Sequence, residues 1–130
     1  MSNRPFIAPN IRAPLVNAQS MATSITSPAS FINTLSGISY DVSWTGSPVG
    51  TFSVQVSNSY TQNPDGSVAN AGNWTTIPSS GFIGTLPAPS GSAGNGFIDV
   101  VGTEAAAVRL VYTAVSGSGN LTVYPAGKVL

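Results

Sequence analysis

The sequence predicts an all-β chain: an antiparallel β-sandwich or jelly roll of about six to eight strands, preceded by an extended N-terminal arm. Two observations carry this. From Ile38 onward apolar and polar residues alternate with period two, the mark of half-buried strands. Clusters of Gly, Ser, Pro and Asn interrupt the alternation at short intervals, as turns between strands do. The one local helix signal, Ala105-Ala106-Ala107, follows Gly102 and runs into β-branched residues, so it reads as a loop entering a strand.

The elements follow in order. Phe31 to Leu35 is a candidate first strand. Ile38, Tyr40, Val42 and Trp44 fall on one face, with Ser39, Asp41 and Ser43 on the other. Gly46-Ser47-Pro48-Val49-Gly50 is a turn cluster, after which Phe52, Val54 and Val56 alternate with Thr51, Ser53, Gln55 and Ser57. Together these predict an antiparallel hairpin with Trp44 and Phe52 in the core. Trp74 to Ile77, Phe97 to Val101 and Ala107 to Ala114 are further strands, the last pointing Val108, Leu110 and Tyr112 inward. Ser116-Gly117-Ser118-Gly119-Asn120 turns the chain into a final strand, Leu121 to Tyr124. Loops at about 58–73 and 79–96 carry much of the Gly, Pro and Asn, and such loops commonly hold a binding surface.

Residues 1–30 differ from the sandwich of residues 31–130. Pro5, Pro9, Pro14 and Pro28 break any helix, and the apolar residues follow no clear period. They read as an arm, and fourteen extended residues reach about 45 Å, enough to lie on a neighbour. Its anchors would be Phe6, Ile7, Ile11 and Leu15, with Arg4 and Arg12 as its side-chain charges. Arm residues up to about Val16 are therefore expected to contact another chain.

Composition narrows the function. The 130 residues are 42% hydrophobic but only 6% charged, against about 25% in typical soluble proteins. Serine and threonine fill 31 positions in their place, and the formal net charge is zero. Such a surface offers little repulsion between copies and suits a subunit that works packed in an assembly. With no Cys and no His, disulfides, thiol nucleophiles, His-based triads and Cys/His zinc sites are excluded. Arg4, Arg12, Arg109 and Lys128 are too few and too dispersed for a nucleic-acid stripe. No apolar run has the length of a membrane helix, and no secretory signal pattern opens the chain.

The carboxylates are Asp41, Asp65, Asp99 and Glu104. Asp41 and Asp99 both sit outward on strands, and a solvated role or pairing with Arg109 is expected in preference to glycoside hydrolysis. Asn63-Pro64-Asp65-Gly66-Ser67 reads as a turn, lacking the further carboxylates of a calcium loop. No catalytic residue, cofactor or metal is expected. Tyr60 and Trp74 are the candidate binding aromatics, with Tyr60 the more exposed because its loop has no apolar neighbours.

Three segments resemble a known family: Thr51-Phe52-Ser53-Val54-Gln55-Val56-Ser57-Asn58, then Asn73-Trp74-Thr75-Thr76-Ile77, then Ala107-Val108-Arg109-Leu110. They resemble the discoidin-type, galactose-binding-like β-sandwich, and the same core closed by Thr113 to Val123 is similar to small phage-encoded proteins. The match covers about residues 38–125 and departs from the family in its long insertion after Asn58. The resemblance, the arm and the low charge together lead to the expectation of a phage virion structural protein: a capsid, decoration or tail-associated subunit. Its partners would be other virion proteins and copies of itself, and its place the extracellular particle. The alternative is a carbohydrate-binding or adhesion module with a glycan as partner.

Overall fold

Alternation becomes strand wherever its inward residues can meet a second apolar face. In the computed structural model, which describes residues 13–32, 37–79 and 82–128, the strands run β1 (Val16–Ser20), β2 (Ile25–Thr26), β3 (Ser30–Phe31), β4 (Gly37–Trp44), β5 (Val49–Ser57), β6 (Thr61–Gln62), β7 (Val68–Asn70), β8 (Thr75–Thr76), β9 (Gly94–Val101), β10 (Ala107–Ser116) and β11 (Asn120–Lys128). One sheet has the order β1-β11-β4-β9. The other has the order β2-β10-β5-β8, with β3 also on β10. The β6–β7 pair is a separate ribbon. All pairings are antiparallel.

With β2 and β3 counted as one interrupted strand and the ribbon set aside, the strand orders are 1-8-3-6 and 2-7-4-5. That is the jelly-roll order, the all-β architecture expected from the alternation. Successive strands change sheet at every step except the one from β5 to β8.

The expected hairpin is therefore an arch. β4 pairs with β11 and β9, whereas β5 pairs with β10 and β8. Period two tells which face of a strand is apolar, but it does not say which strand lies beside it. The turn from Thr45 to Pro48 spans the gap between sheets, typically about 10 Å. The inward faces of β4 and β5 then meet across the core, where the Trp44 and Phe52 rings lie 5.9 Å apart. Phe52 in turn sits 5.3 Å from Tyr112. Both expected core residues are buried, Trp44 at 7% and Phe52 at 4% exposure.

Residues 13–30, expected to belong to an extended arm, do not form one. Val16 is buried in the chain's own core and Leu15 packs against it. The Leu15 amide donates to the Val123 carbonyl at 2.8 Å, and β1 continues that pairing along β11. Met21, Ile25 and Ile32 are core residues, and β2 and β3 pair with β10. Residues 13–30 thus belong to the sandwich, and Leu15 is no tether to a neighbour. The reason lies in the edge position. β1 points only Val16 inward, and a register shift with Ala18 at φ 48° interrupts the alternation that would have revealed it. Arg4, Phe6, Ile7, Ile11 and Arg12 lie outside the described residues.

One edge of each sheet is partly covered. Ile83 bridges Val100, and the Val101 amide donates to the Phe82 carbonyl at 3.0 Å, which closes part of β9. Val49 bridges Ser90, and the Gly50 amide donates to Pro89, which continues the short cover that β8 gives β5. Such capping blocks strand-by-strand pairing between copies.

Two tyrosines, Tyr40 and Tyr112, cross the core with their hydroxyls buried and without a hydrogen-bond partner among the described residues. Burial pushes both phenols above their ordinary value. The unfolded phenol, near 10.0, therefore loses its proton first. Stability is complete below that pH and falls above it, by about 1.4 kcal/mol per pH unit for Tyr40, with Tyr112 acting in the same direction. Tyr40→Phe removes one titration and one unpaired hydroxyl. It is expected to raise stability by about 1 kcal/mol at neutral pH and to flatten the alkaline decline. Thermal melts at neutral pH and above pH 10 check both effects.

Candidate functional site

Two surfaces stand out, one on the outer face of each sheet. On the β2-β10-β5-β8 sheet the three segments of the family resemblance lie side by side, as the ends of β5, β8 and β10. β5 ends on the buried Ser57, whose Oγ accepts from the amides of Ser59 and Tyr60, both at 3.1 Å. That turn swings Tyr60 back onto the sheet. Asn58 Oδ1 accepts from the Ala106 amide at 2.8 Å, and the Ser59 hydroxyl accepts from the Asn73 amide at 2.8 Å. Gly72 carries φ +76°, and a Cβ there would lie 2.7 Å from the Tyr60 amide nitrogen, so no side chain fits at this crossing.

These ties assemble a continuous cluster. The Tyr60 ring lies 5.5 Å from Phe31 and 5.5 Å from Trp74. The Arg109 guanidinium sits 4.1 Å over the Trp74 ring while its Nε donates to Gln55 Oε1 at 2.8 Å. Partial burial lowers the Arg109 pKa from its ordinary value, yet an arginine remains a cation at neutral pH. Its attraction to the indole face contributes about 0.5–2 kcal/mol. The Trp74 Nε1 donates to the Ala71 carbonyl at 2.9 Å, and the Tyr60 hydroxyl accepts from Gln62 Nε2 at 2.9 Å.

Tyr60 and Trp74 are thus brought together, but both are half-buried. Tyr60 is not the most exposed aromatic, because Phe31 and Trp74 flank it. Sequence reasoning missed Phe31, whose lone strand position gave no sign of the contact. The cluster clamps the excursion of residues 58–76 to the sheet, with one face of Trp74 and both polar ring groups engaged within the chain. Inside that excursion, Asp65 Oδ1 accepts from the Ser67 hydroxyl at 2.7 Å and from its amide at 3.0 Å. These bonds, the hydroxyl first, lower the Asp65 pKa and form the expected turn.

Among the described residues, the outer face of the β1-β11-β4-β9 sheet is open. Here Phe97 is 62%, Val101 47% and Tyr124 44% exposed. Register places Tyr124, Asp41 and Phe97 in one row across β11, β4 and β9. Ala126, Ser39 and Asp99 form the next row. Asp41 and Asp99 are therefore diagonal neighbours, about 7–8 Å apart by ordinary sheet geometry. Both project outward as expected, from a shared open face. Arg109 lies on the outer face of the other sheet and contacts Gln55 and Trp74, so of the two expected roles for Asp41 and Asp99, solvated or paired with Arg109, the exposed positions fit the first. The sequence carried a sign of the exposed aromatic: with Ile98 and Val100 inward, period two sends Phe97 out.

No family model, curated protein or solved structure matches the chain.

Proposed function

We propose that the protein is a structural subunit of a phage virion, a capsid, decoration or tail-associated component. The observation that carries this reading is the exposure of Phe97, Tyr124 and Val101 on the outer face of one sheet. Large apolar side chains exposed on one sheet face, here around Asp41 and Asp99, suit an interaction surface that assembly would bury. The jelly roll is an architecture used by capsid domains, and also by lectins, so the fold alone does not choose between them. A chain with 6% charged residues adds little repulsion to oppose packing. Glycan binding would draw on Tyr60 and Trp74, whose rings and polar groups are already engaged with Phe31, Arg109, Ala71 and Gln62. That contrast favours assembly, with copies of itself and other virion proteins as partners.

The test is a double substitution on the open face, Phe97→Glu with Tyr124→Glu. Both side chains are exposed, so the melting temperature should change little, within about 1 kcal/mol of stability. Light scattering should find the unaltered protein as a regular oligomer and the variant as a monomer. An unaltered protein that remains monomeric at high concentration would contradict the reading.

A further inference from the structure

We infer that residues 1–12 of one copy dock across the outer face of the β1-β11-β4-β9 sheet of the next copy. The inference rests on the assembly reading and names the two surfaces that meet. Of the four acidic residues in the chain, two, Asp41 and Asp99, stand diagonally on this face. Of the four basic residues, Arg4 and Arg12 lie within residues 1–12, which contain no acid. Half of the basic residues thus lie in the segment and half of the acids on the face, while Lys128 ends β11 in the same sheet, paired with Gly37.

Apolar groups divide in the same way. Phe6, Ile7 and Ile11 fall between the two arginines, and Phe97 and Tyr124 flank Asp41. The match in length is also good. Strands lie about 4.8 Å apart, so the row from β11 to β9 spans about 10 Å. Twelve extended residues reach about 40 Å. The segment can leave the β1 edge of its own sheet, cross to a neighbour and still cover the row. A face laid against its own copy would instead oppose Asp41 and Asp99 to the same acids, which disfavours a face-to-face dimer. Segment and face are different surfaces, so the contact is heterologous and its repetition builds a ring or an open chain.

Charge reversal on the full chain tests this. One variant carries Asp41→Lys and Asp99→Lys on the face, and the other carries Arg4→Glu and Arg12→Glu in the segment. Each alone should self-associate at least about 100-fold more weakly and run as a monomer by light scattering, with an unchanged melting temperature. An equimolar mixture should restore larger assemblies in which the two variants alternate, because the unaltered segment of one matches the unaltered face of the other and the reversed segment matches the reversed face. The chain with all four substitutions should recover the unaltered size. Single variants that keep the unaltered oligomer size would overturn the docking while leaving assembly in place. A mixture that stays monomeric would also overturn it, pointing to a segment that covers its own sheet. An unaltered chain that is itself monomeric would remove both the docking and the assembly reading.

Discussion

Trp44→Ala is expected to destabilise the protein by about 3–5 kcal/mol, the usual cost of emptying a buried aromatic site. The indole lies between the sheets against Phe52, and its Nε1 donates to the Ser92 carbonyl at 2.9 Å. Truncation therefore opens a cavity and frees the loop before β9. For a domain of this size the melting temperature should fall by at least roughly 10 °C. The pairing can be isolated with Phe52→Ala and the double variant. Because the rings meet from opposite sheets, a coupling of about 0.5–1.5 kcal/mol is expected. A melting temperature unmoved by Trp44→Ala would mean that the strand faces are exchanged.

Truncation gives the second large effect, and its size should depend on where the cut falls. Removing residues 2–20 deletes β1, loses the burial of Val16 and exposes the edge of β11 beside Leu121 and Val123. Burial of a valine side chain alone contributes about 1.5–3 kcal/mol. The backbone pairs of β1 with β11 are lost as well. This chain should melt at least roughly 10 °C lower or fail to fold. Removing residues 2–12 leaves Leu15, Val16 and the pairing with Val123 in place and should leave the melting temperature nearly unchanged. Circular dichroism melts of the two truncations check the difference. Equal stability of both would mean that β1 contributes nothing to the sandwich.

The strands were legible in the sequence because period-two alternation is a property of single elements. The inward face of β4, from Ile38 to Trp44, and that of β10, from Val108 to Tyr112, could be read residue by residue. Pairing was not legible. The arch between β4 and β5 has the length and composition of a hairpin turn, and only the second sheet decides between them. β1 was hidden by its single inward residue and register shift, and β2 and β3 were obscured by their shortness. β2 and β3 have two residues each, and Ser27 fills the interruption, its Oγ accepting from the Leu110 amide at 2.9 Å. A buried serine beside Pro28 looks like loop in a sequence.

The candidate surfaces were half legible. Tyr60 and Trp74 stood out as aromatics near polar loops, and Asp41 and Asp99 as outward carboxylates. Their neighbours depended on contacts between distant segments, such as Arg109 over Trp74 and Asp41 between Phe97 and Tyr124. Those follow from sheet order, which alternation does not encode.

Quantitative mass spectrometry on purified virions tests the central claim most directly. Particles would be collected on a density gradient from a culture that expresses this chain. A structural subunit should co-migrate with intact particles at a fixed copy number relative to the other virion proteins, and should stay with them through a high-salt wash. A chain found only in the soluble fraction, or present on particles in amounts that vary between preparations, would contradict the virion assignment.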